Sequence, residues 1–293
     1  MRPQNARRIA WGYGNTQAGP SHADPHRAYR SQPELAERGR AVKFSIVIPT
    51  YNEAGGIERL VTTLDEIFRA NGLDGEIVVV DDNSPDGTGA IVDALAGRYP
   101  VRCLHRPGKL GLSSGVIEGW RFARSDSEAV GAMDADFSHD PSILPRMVAA
   151  VESGAYGLAI GSRYVSGGGI RDWPLKRKIT SLVAIGLAKP LTPVLDITSG
   201  YFLVRRSALE GVELDPIGFK IGLEVIAKAH YGKAVEIPYV FTDRTSGTSK
   251  LNSGEIANYL RQLRRIYAMK LSGGLSGRGS AEAGGTKAKG KTA

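Results

Sequence analysis

The amino-acid sequence predicts an α/β protein with a mostly parallel, doubly wound central sheet. Short apolar runs alternate with amphipathic segments from residue 44 to residue 133, and only short loops separate them. One of these runs, Ile77-Val78-Val79-Val80, is entirely β-branched, which is typical of a strand that is covered on both faces. Alternating strands and helices form parallel sheets through right-handed crossovers. We therefore expect helices on both faces of the sheet and the strand carboxyl ends along one edge.

The first elements are predicted from apolar runs and from one periodic segment. Residues 44–49 form an apolar run that stops at a proline, which predicts a buried strand. Residues 56–70 carry apolar side chains at helical spacing, which predicts an amphipathic helix. These side chains are Ile57, Leu60, Val61, Leu64, Ile67 and Phe68. Residues 76–80 form the second predicted strand.

The next elements continue this alternation. A turn that contains glycine leads into a helix over 88–97, and residues 101–104 form a third strand. A third helix is predicted over 112–124 and a fourth strand over 129–133. Sheets of this kind bind ligands outside the carboxyl ends of their strands. The loops that follow these strands are therefore where a functional site is expected.

The positive charge of the chain is concentrated near its ends. The 293 residues have a formal net charge of +8, with seven Arg against three acids in residues 1–40 and four basic residues against one acid in residues 272–293. The central part is therefore close to neutral. Nucleic-acid binding is disfavoured because the central part has no stripe of basic and aromatic residues. Basic ends fit either solubilising tails or attraction to an anionic membrane surface.

We predict one domain at 42–271 between two disordered tails. Residues 1–41 and 272–293 are polar segments without apolar periodicity. The single cysteine, Cys103, excludes an intramolecular disulfide and suits a reducing compartment. The first forty residues lack the apolar segment of a signal peptide, and no stretch approaches the roughly 20 apolar residues of a membrane span. We therefore expect neither a signal peptide nor a transmembrane helix.

Acidic side chains follow three of the predicted strands. Glu53 follows the first strand, Asp82 the second, and Asp134 and Asp136 the fourth. Two carboxylates separated by one residue point the same way on an extended backbone and can share a hard divalent cation, Mg²⁺ or Mn²⁺. The alternative for Asp82 is that it only caps the next helix. Because all three loops lie at one edge of the sheet, we favour a cation-dependent nucleotide site.

Several motifs carry a resemblance to a known family. They are Pro49-Thr50-Tyr51-Asn52-Glu53, Asp81-Asp82-Asn83-Ser84-Pro85-Asp86-Gly87-Thr88, Lys109-Leu110-Gly111-Leu112, Met133-Asp134-Ala135-Asp136-Phe137-Ser138-His139, Gly161-Ser162-Arg163-Tyr164, and Asp243-Arg244 with Ser249-Lys250. Through these motifs, the sequence from about Phe44 to Tyr267 resembles the family 2 glycosyltransferases. The later motifs, with Asp172-Trp173-Pro174-Leu175-Lys176-Arg177-Lys178, are similar to those of the polyprenyl-phosphate (dolichyl-phosphate) mannose synthases within that family.

The resemblance implies a GT-A fold and an inverting, metal-dependent glycosyltransferase. It implies GDP-mannose as the donor and a polyprenyl (dolichyl-type) monophosphate as the acceptor. It also implies that Asp136 and Arg163 are catalytic, and that Asp134 and Asp136 hold Mg²⁺ or Mn²⁺. Ser138, where some relatives carry Gln, is a weaker metal ligand because its short hydroxyl would reach the metal only through water.

The resemblance also assigns the remaining binding positions. Those of the nucleotide sugar are Pro49, Tyr51, Glu53, Val80, Asp82, Asp134, Ala135, Asp136, Arg163, Arg244 and Lys250. Those of the acceptor phosphate are Arg163, Arg177, Arg244 and Lys250. Arg matches phosphate oxygens with a planar fork, and Lys supplies a point charge. A phosphate acceptor is already ionised near neutral pH and needs no general base, so His139 is expected to be an ordinary surface residue at a helix start.

Two segments suggest contact with a membrane surface. Residues 176–195 begin with three basic residues and continue as two short amphipathic pieces. This pattern fits either interfacial helices or a buried helix–turn–helix, and a lipid acceptor favours the interfacial helices. Residues 255–271 predict an amphipathic helix that packs on the core, lies on lipid or docks a membrane-embedded anchoring subunit. We expect peripheral association with the cytoplasmic face of a membrane.

Two other functions remain open from the sequence. The first keeps the fold and changes the sugar, giving a polyprenyl-phosphate glucosyltransferase that uses UDP-glucose. The second is a non-catalytic protein that binds a nucleotide or a membrane. The intact Asp134-Ala135-Asp136 motif, together with Arg163 and Lys250, favours an enzyme over this second alternative.

Overall fold

The fold is known from a computed structural model, which describes residues 41–171, 173–242, 253–273 and 280–283. Arg244 and Lys250, both predicted to bind phosphate, lie outside the described residues, as does Asp172 of the specific motif. The predicted N-terminal tail lies outside them except for its last residue.

The described residues contain a large mixed sheet and a small one. The strands are β1 (Phe44–Thr50), β2 (Gly75–Asp81), β3 (Val101–His105), β4 (Ala129–Ala132), β5 (Leu158–Ser162), β6 (Gly169–Arg171), β7 (Phe202–Arg205), β8 (Lys233–Pro238), β9 (Val240–Thr242) and β10 (Ser280–Ala283). The large sheet has the order β10-β8-β5-β7-β4-β1-β2-β3, and β6 pairs with β9. Within the large sheet only β7 runs antiparallel to its neighbours, β4 and β5. The predicted mostly parallel sheet is confirmed.

Seven α-helices lie within the described residues. They are α1 (Ile57–Asn71), α2 (Thr88–Leu95), α3 (Leu112–Phe122), α4 (Leu144–Glu152), α5 (Leu175–Ala188), α6 (Ile221–Lys228) and α7 (Ser253–Leu271). The four strands and three helices predicted between residues 44 and 133 are all found, with ends shifted by at most two residues. No helix in the described residues reaches both the length and the apolar content of a membrane span.

The central strand β1 is covered on both faces. Its even-numbered residues Ile46 and Ile48 belong to the core beneath α1 and α4, and Val47 belongs to the core beneath α3. This division follows from the two-residue period of a strand. Helix α3 approaches the sheet closely, since a Cβ on Gly119 would lie 2.5 Å from Cγ1 of Val47. A larger residue at this position would push the helix off the sheet.

The sheet order brings the predicted acidic loops together. Strand β1 lies between β4 and β2 and is parallel to both, with Thr50 paired to Asp81 and Val47 paired to Ala132. The three strands therefore end side by side, and the loops that carry Glu53, Asp82 and the Asp134–Asp136 pair leave the same edge. This arrangement is what the sequence analysis expected.

The edge strands of the large sheet are β10 and β3. Strand β10, from residues that the sequence analysis placed in the C-terminal tail, pairs in parallel with β8 and forms one edge. The hydroxyl of Tyr156 donates a 2.6 Å hydrogen bond to Glu282 of this strand. The opposite edge is β3, where burial, with Asp93 and Asp81 nearby, raises the pKa of the Cys103 thiol to about 12.

Candidate active site

Three backbone turns shape the carboxyl edge of the sheet. Asn52 follows β1, Asn83 follows β2 and Phe137 follows β4, and their φ angles are 61°, 57° and 58°. Asn tolerates this left-handed region, whereas it is unfavourable for a bulky aromatic residue. Strained conformations of this kind persist where the surrounding structure holds them, and they cluster at functional sites. The three turns all lie in loops that the sequence analysis selected.

Hydrogen bonds join the loop after β1 to the loop after β2. The backbone N–H of Asn52 donates to Oγ of Ser84, and that of Glu53 donates to Oγ1 of Thr88, each at 3.0 Å. The N–H of Ala54 donates to the Asp86 carboxylate at 3.0 Å. These bonds fix the position of Glu53 relative to the second loop.

Asp82 is held by a buried arginine. Its carboxylate accepts a 2.6 Å hydrogen bond from Nε of Arg106 and also pairs with the Nη2 group of that residue. The N–H of Gly111 donates to its other oxygen at 3.2 Å. Asp82 therefore does not cap the helix that follows it, and its charge is balanced within the protein. It orders the loop around residue 111 rather than offering a free carboxylate to a cation.

Asp134 and Asp136 have a different environment. The carboxylate of Asp136 accepts a 3.1 Å hydrogen bond from the N–H of Ser138, which closes the turn. The Asp134 side chain is 41% exposed, and one of its carboxylate oxygens lies 3.8 Å from Nε2 of His139. Two half-exposed carboxylates, two residues apart at a sheet edge, are oxygen donors that suit a hard divalent cation. The residues present therefore fit the expected metal, and Ser138, only 3% exposed, is less well placed to bind it.

His139 is buried. The prediction from the sequence that it is an ordinary surface residue is wrong. It is 4% exposed and stacks on Tyr201 with 5.1 Å between ring centroids. The reason is that Nδ1 accepts a 2.9 Å hydrogen bond from the N–H of Asp134, which turns the ring inward. Burial lowers the pKa of His139 despite the nearby carboxylates of Asp134 and Asp136. The ring is therefore neutral near pH 7, and its accepting nitrogen is already occupied.

Arg163 is locked into a buried ion pair. Its Nε and Nη2 groups donate to the two oxygens of Asp196 at 2.8 and 2.7 Å, and Nη2 also donates to Oγ1 of Thr198 at 2.9 Å. Asp196 is fully buried. Burial works against the charge of the guanidinium, but the Asp196 carboxylate raises the pKa of Arg163 above its ordinary value. Arg163 thus keeps its positive charge and a fixed orientation.

An aromatic cluster joins the carboxylate pair to the basic residues. His139 makes edge contacts with Tyr239 and Phe241, and Phe241 makes one with Trp173. The guanidinium carbon of Arg177 lies 4.2 Å from the Trp173 ring. The small strand pair β6–β9 supplies Phe241 to this cluster. Arg177 and Arg163 are therefore brought to the same part of the molecule as Asp134, as expected from the resemblance.

The predicted nucleoside positions fall into two groups. Tyr51 is 37% exposed, and Nζ of Lys109 lies 4.0 Å above its ring. Pro49 and Glu53 are half-buried at the same edge. Val80 and Ala135 are buried, at 0% and 3% exposed. Little of either residue, side chain or backbone, is therefore open to a ligand.

Four residues that organise this site are not among those predicted from the sequence. They are Arg106, Asp196, Thr198 and Lys220. Arg106 follows the third predicted strand at the same edge of the sheet. Its position after a strand could therefore have marked it as a residue of the site. Asp196 and Thr198 precede a strand instead of following one, because β7 is antiparallel and begins at this edge. Lys220 gives no signal in the sequence, since it lies in the connection that leads to α6.

Comparison with known proteins identifies the family. The model of the family described as "Glycosyl transferase family 2" matches residues 45–212. The chain belongs to glycosyl transferase family 2. The match covers both the Asp134–Asp136 loop and the Arg163–Asp196 pair.

Relatives of this family 2 member carry more specific names. The chain is 43% identical over 229 residues to "Dolichol-phosphate mannosyltransferase" from Pyrococcus furiosus, and the match covers 77% of this chain and 64% of the relative. The chain thus spans slightly less than two thirds of that relative's length. It is 36% identical over 245 residues to "Dolichol-phosphate mannosyltransferase" from Saccharomyces cerevisiae, covering 78% of this chain and 89% of the relative. The resemblance inferred from the motifs is confirmed.

A solved structure supports the fold of this family 2 glycosyltransferase. "Mannosyltransferase PcManGT from Pyrobaculum calidifontis in complex with GDP-Man and Mn2+" superposes with a TM-score of 0.52 at 18% identity, covering 84% of this chain and 69% of that one. The predicted GT-A fold is confirmed, and so is the prediction of a glycosyltransferase enzyme.

Proposed function

We propose that this family 2 enzyme transfers mannose from GDP-mannose to a polyprenyl (dolichyl-type) monophosphate, with inversion at the sugar. One observation carries the proposal. The half-exposed carboxylates of Asp134 and Asp136 share a sheet edge with a cluster of fixed basic side chains, Arg163 and Arg177. A metal-bound diphosphate and a second phosphate need these two environments side by side. The dolichol-phosphate mannosyltransferase relatives support the choice of sugar and acceptor.

Asp134 and Asp136 would hold the divalent cation, Mg²⁺ or Mn²⁺. When bound, such a cation stabilises the negative charge that develops on a leaving diphosphate. The mannosyltransferase from Pyrobaculum, solved in complex with GDP-Man and Mn²⁺, supports this assignment. The N–H of Ser138 holds the carboxylate of Asp136, and the His139 ring holds the backbone of Asp134 by accepting its N–H.

The acceptor needs no general base in this reaction. A phosphate monoester is ionised near neutral pH, so its oxygen attacks the anomeric carbon without losing a proton. The site is consistent with this, because His139 is neutral and its Nδ1 already accepts a hydrogen bond from Asp134. One direct displacement inverts the configuration of the sugar carbon. No covalent sugar–enzyme intermediate is required.

The basic residues position the phosphates. Arg163 cannot swing toward a ligand without leaving Asp196, so it acts as a fixed positive charge at the floor of the site. Arg177, at the start of α5, stands nearer to the exposed apolar surface. Arg244 and Lys250, outside the described residues, are proposed as further phosphate ligands from the resemblance alone.

The nucleoside end of the donor is proposed to lie in the loops after β1 and β2. Tyr51 offers an exposed ring, and Glu53 offers a carboxylate held near it. Asp82, through its pairing with Arg106 and the N–H of Gly111, ties the loop after β2 to the loop that follows β3. Pro49 would line the pocket, and contacts of the buried residues Val80 and Ala135 are proposed from the resemblance alone.

Helix α5 is proposed to rest on the cytoplasmic face of a membrane. It exposes a row of large apolar side chains: Leu175, Ile179, Leu182, Val183 and Leu187. The buried helix–turn–helix that the sequence left open is thereby disfavoured. Basic Lys178 and Lys189 flank the row, which suits anionic lipid. Helix α7 is tied to α5, since the hydroxyl of Tyr259 donates to the carbonyl of Ala184 at 2.6 Å. A membrane-embedded anchoring subunit would be an additional partner of this surface.

A donor panel tests the proposed function. Purified protein is incubated with a prenyl phosphate, Mn²⁺ or Mg²⁺, and either GDP-mannose or UDP-glucose. We expect prenyl-phosphate mannose to form only from GDP-mannose and only when the cation is present. A higher rate of transfer from UDP-glucose than from GDP-mannose would show that the enzyme transfers glucose instead of mannose. No transfer from either donor would contradict the proposed reaction.

A further inference from the structure

A lysine that the sequence analysis did not select lies beside the proposed transfer site. Lys220 is the residue immediately before α6, and its backbone carbonyl accepts a 3.2 Å hydrogen bond from Gln262 of α7. Its Nζ group makes one long hydrogen bond, 3.4 Å, to the carbonyl of Thr198. It also lies 4.5 Å from the ring of Phe219. Among the described residues no carboxylate lies within ion-pair distance of this ammonium group.

An ammonium group with one weak acceptor is unusual away from bulk water. It has three N–H donors, and desolvated charges are normally paired or fully hydrogen-bonded. Lys220 is only partly exposed, and the Asp196 carboxylate, which acts on its charge, is already paired with Arg163. Two of the three N–H donors of Lys220 therefore have no acceptor among the described residues.

The surrounding charges also disfavour an unpaired cation here. Burial is the main cause that lowers the pKa of Lys220 to about 8, and the positive charges of Arg163 and Arg177 lower it further. Asp196 and Asp134 act in the opposite direction but do not offset the shift. A dianionic ligand would supply both the missing hydrogen-bond acceptors and the missing negative charge.

The contacts of Lys220 connect it to the helix that carries the exposed apolar row. The carboxylates of Asp134 and Asp136 face the donor diphosphate through their cation in the proposed function. Lys220 lies instead where α6 meets α7, and α7 is bound to α5, the helix with the exposed apolar row. A lipid acceptor that lies along that row would bring its phosphate toward Lys220.

We propose that the ammonium group of Lys220 binds the phosphate of the lipid acceptor directly. This inference rests on the proposed function and adds to it the residue that receives the acceptor. Lys220 and Arg177 would contact the phosphate oxygens, and Arg163 would provide a fixed charge behind them. In this assignment the donor diphosphate is held at the cation site of Asp134 and Asp136 and not by Lys220.

The test compares Lys220→Met with Lys43→Met in the full chain. Lys43 is a matched control because it lies away from the carboxyl edge of the sheet, just before β1, and is paired with Asp126 at 2.6 Å. With farnesyl phosphate as a soluble acceptor, we expect Lys220→Met to raise the KM for farnesyl phosphate about 10-fold or more, the loss of one charged hydrogen bond. The KM for GDP-mannose and the affinity for GDP with Mn²⁺ should stay within about 2-fold of wild type. Lys220→Arg should recover part of the loss.

Stability measurements separate this binding role from a structural one. Removal of a poorly paired cation should leave the melting temperature of Lys220→Met at pH 7 equal to or above that of wild type. The sign follows from the lowered pKa: the charged lysine costs stability below about pH 8, and this cost disappears as the pH rises toward the ordinary value of 10.5. The difference between the two proteins should therefore vanish near pH 10.5.

Three results would overturn the inference. The first is an unchanged KM for farnesyl phosphate in Lys220→Met. The second is a weaker affinity for GDP with an unchanged acceptor KM, which would assign Lys220 to the donor. The third is a lower melting temperature that accounts for the lost activity. Binding of farnesyl phosphate without donor keeps the two proposals distinct: if wild type transfers no sugar but its binding of farnesyl phosphate depends on Lys220, the transfer reaction fails and the phosphate site stands.

Discussion

At the scale of single residues, the carboxylates of the site differ in what balances their charge. Asp82 pairs with Arg106 and Asp196 pairs with Arg163, so both are neutralised inside the protein. Asp134 has only a neutral histidine beside it among the described residues. This difference gives Asp82 and Asp196 structural tasks and is one reason for proposing that the Asp134–Asp136 pair binds the cation. Burial and partners, more than residue type, separate the two roles.

Asp136 provides the most direct test of the cation site. Asp136→Asn keeps the shape of the side chain and removes the charge that would bind the metal. We expect kcat to fall by about 100-fold or more, as for the loss of a main electrostatic contact in a transition state. Initial rates over a Mn²⁺ titration measure the effect. Asp126→Asn, which changes an exposed carboxylate paired with Lys43, is the control and should keep wild-type rates. If Asp136→Asn kept more than half of wild-type activity, the proposed role of Asp136 in binding the cation would be contradicted.

Arg163 is expected to matter for stability as well as for activity. Arg163→Met leaves the buried carboxylate of Asp196 without its partner, which should lower the free energy of unfolding by about 3–5 kcal/mol. The double variant Arg163→Met with Asp196→Asn removes both charges and should regain much of that loss. Urea denaturation monitored by circular dichroism measures both. Equal unfolding midpoints for the single variant and wild type would show that the pair contributes little.

At the scale of elements, the loops and helices around the site have separate tasks. The loops after β1, β2 and β4 are fixed by hydrogen bonds and by left-handed turns at Asn52, Asn83 and Phe137. The guanidinium carbon of Arg59, on α1, lies 4.2 Å from the Phe137 ring and helps to hold the third turn. Helix α5 is different, because one row of its apolar side chains has no cover among the described residues. The loops, which are held by hydrogen bonds, suit binding of a polar ligand. The exposed apolar row of α5 suits contact with an apolar surface outside the protein.

Helix α5 is expected to control binding to lipid. Leu182→Glu replaces an apolar side chain that is 56% exposed at the middle of the row. The change removes apolar area and adds a negative charge, so binding to anionic vesicles should weaken by about 10-fold or more. Vesicle co-sedimentation measures this. Leu110→Glu is a matched control, because Leu110 is also 56% exposed but lies in the loop before α3. An equal loss in both variants, or no loss in either, would contradict the role of α5.

At the scale of the whole molecule, the ligand and the cation should act on stability together. GDP with Mn²⁺ at roughly 100 times its dissociation constant should raise the melting temperature by about 5–10 °C for a domain of this size. EDTA should abolish the shift, and Asp134→Asn should largely lose it. Differential scanning fluorimetry measures all three. A shift of equal size with EDTA present would mean that the nucleotide binds without the cation.

The sequence predicted the part of the fold that follows a simple rule. From residue 44 to residue 133, each strand is followed by a helix, so the loops after the strands could be placed at one edge with Glu53, Asp82, Asp134 and Asp136 on them. The alternation of parallel strands and helices does not continue after residue 133. Strand β7 runs antiparallel, so Asp196 and Thr198, which precede it, lie at the same edge of the sheet as the site. Lys220 was out of reach for a related reason: its place is set by contacts between distant elements, α6, α7 and the Thr198 loop. His139 was misjudged because a single hydrogen bond from the backbone of Asp134 decides which way its ring turns.

The half-buried thiol of Cys103 has a practical consequence for testing whether α5 contacts a bilayer. With its pKa raised to about 12, the thiol is almost entirely protonated at pH 7 and should react slowly with maleimides and methanethiosulfonates. A cysteine introduced at an exposed position of α5, such as Leu182→Cys, could therefore carry a spin label or an environment-sensitive dye without removal of the native thiol. Depth-dependent quenching by labelled phospholipids would then report, side chain by side chain, how far that helix enters the headgroup layer.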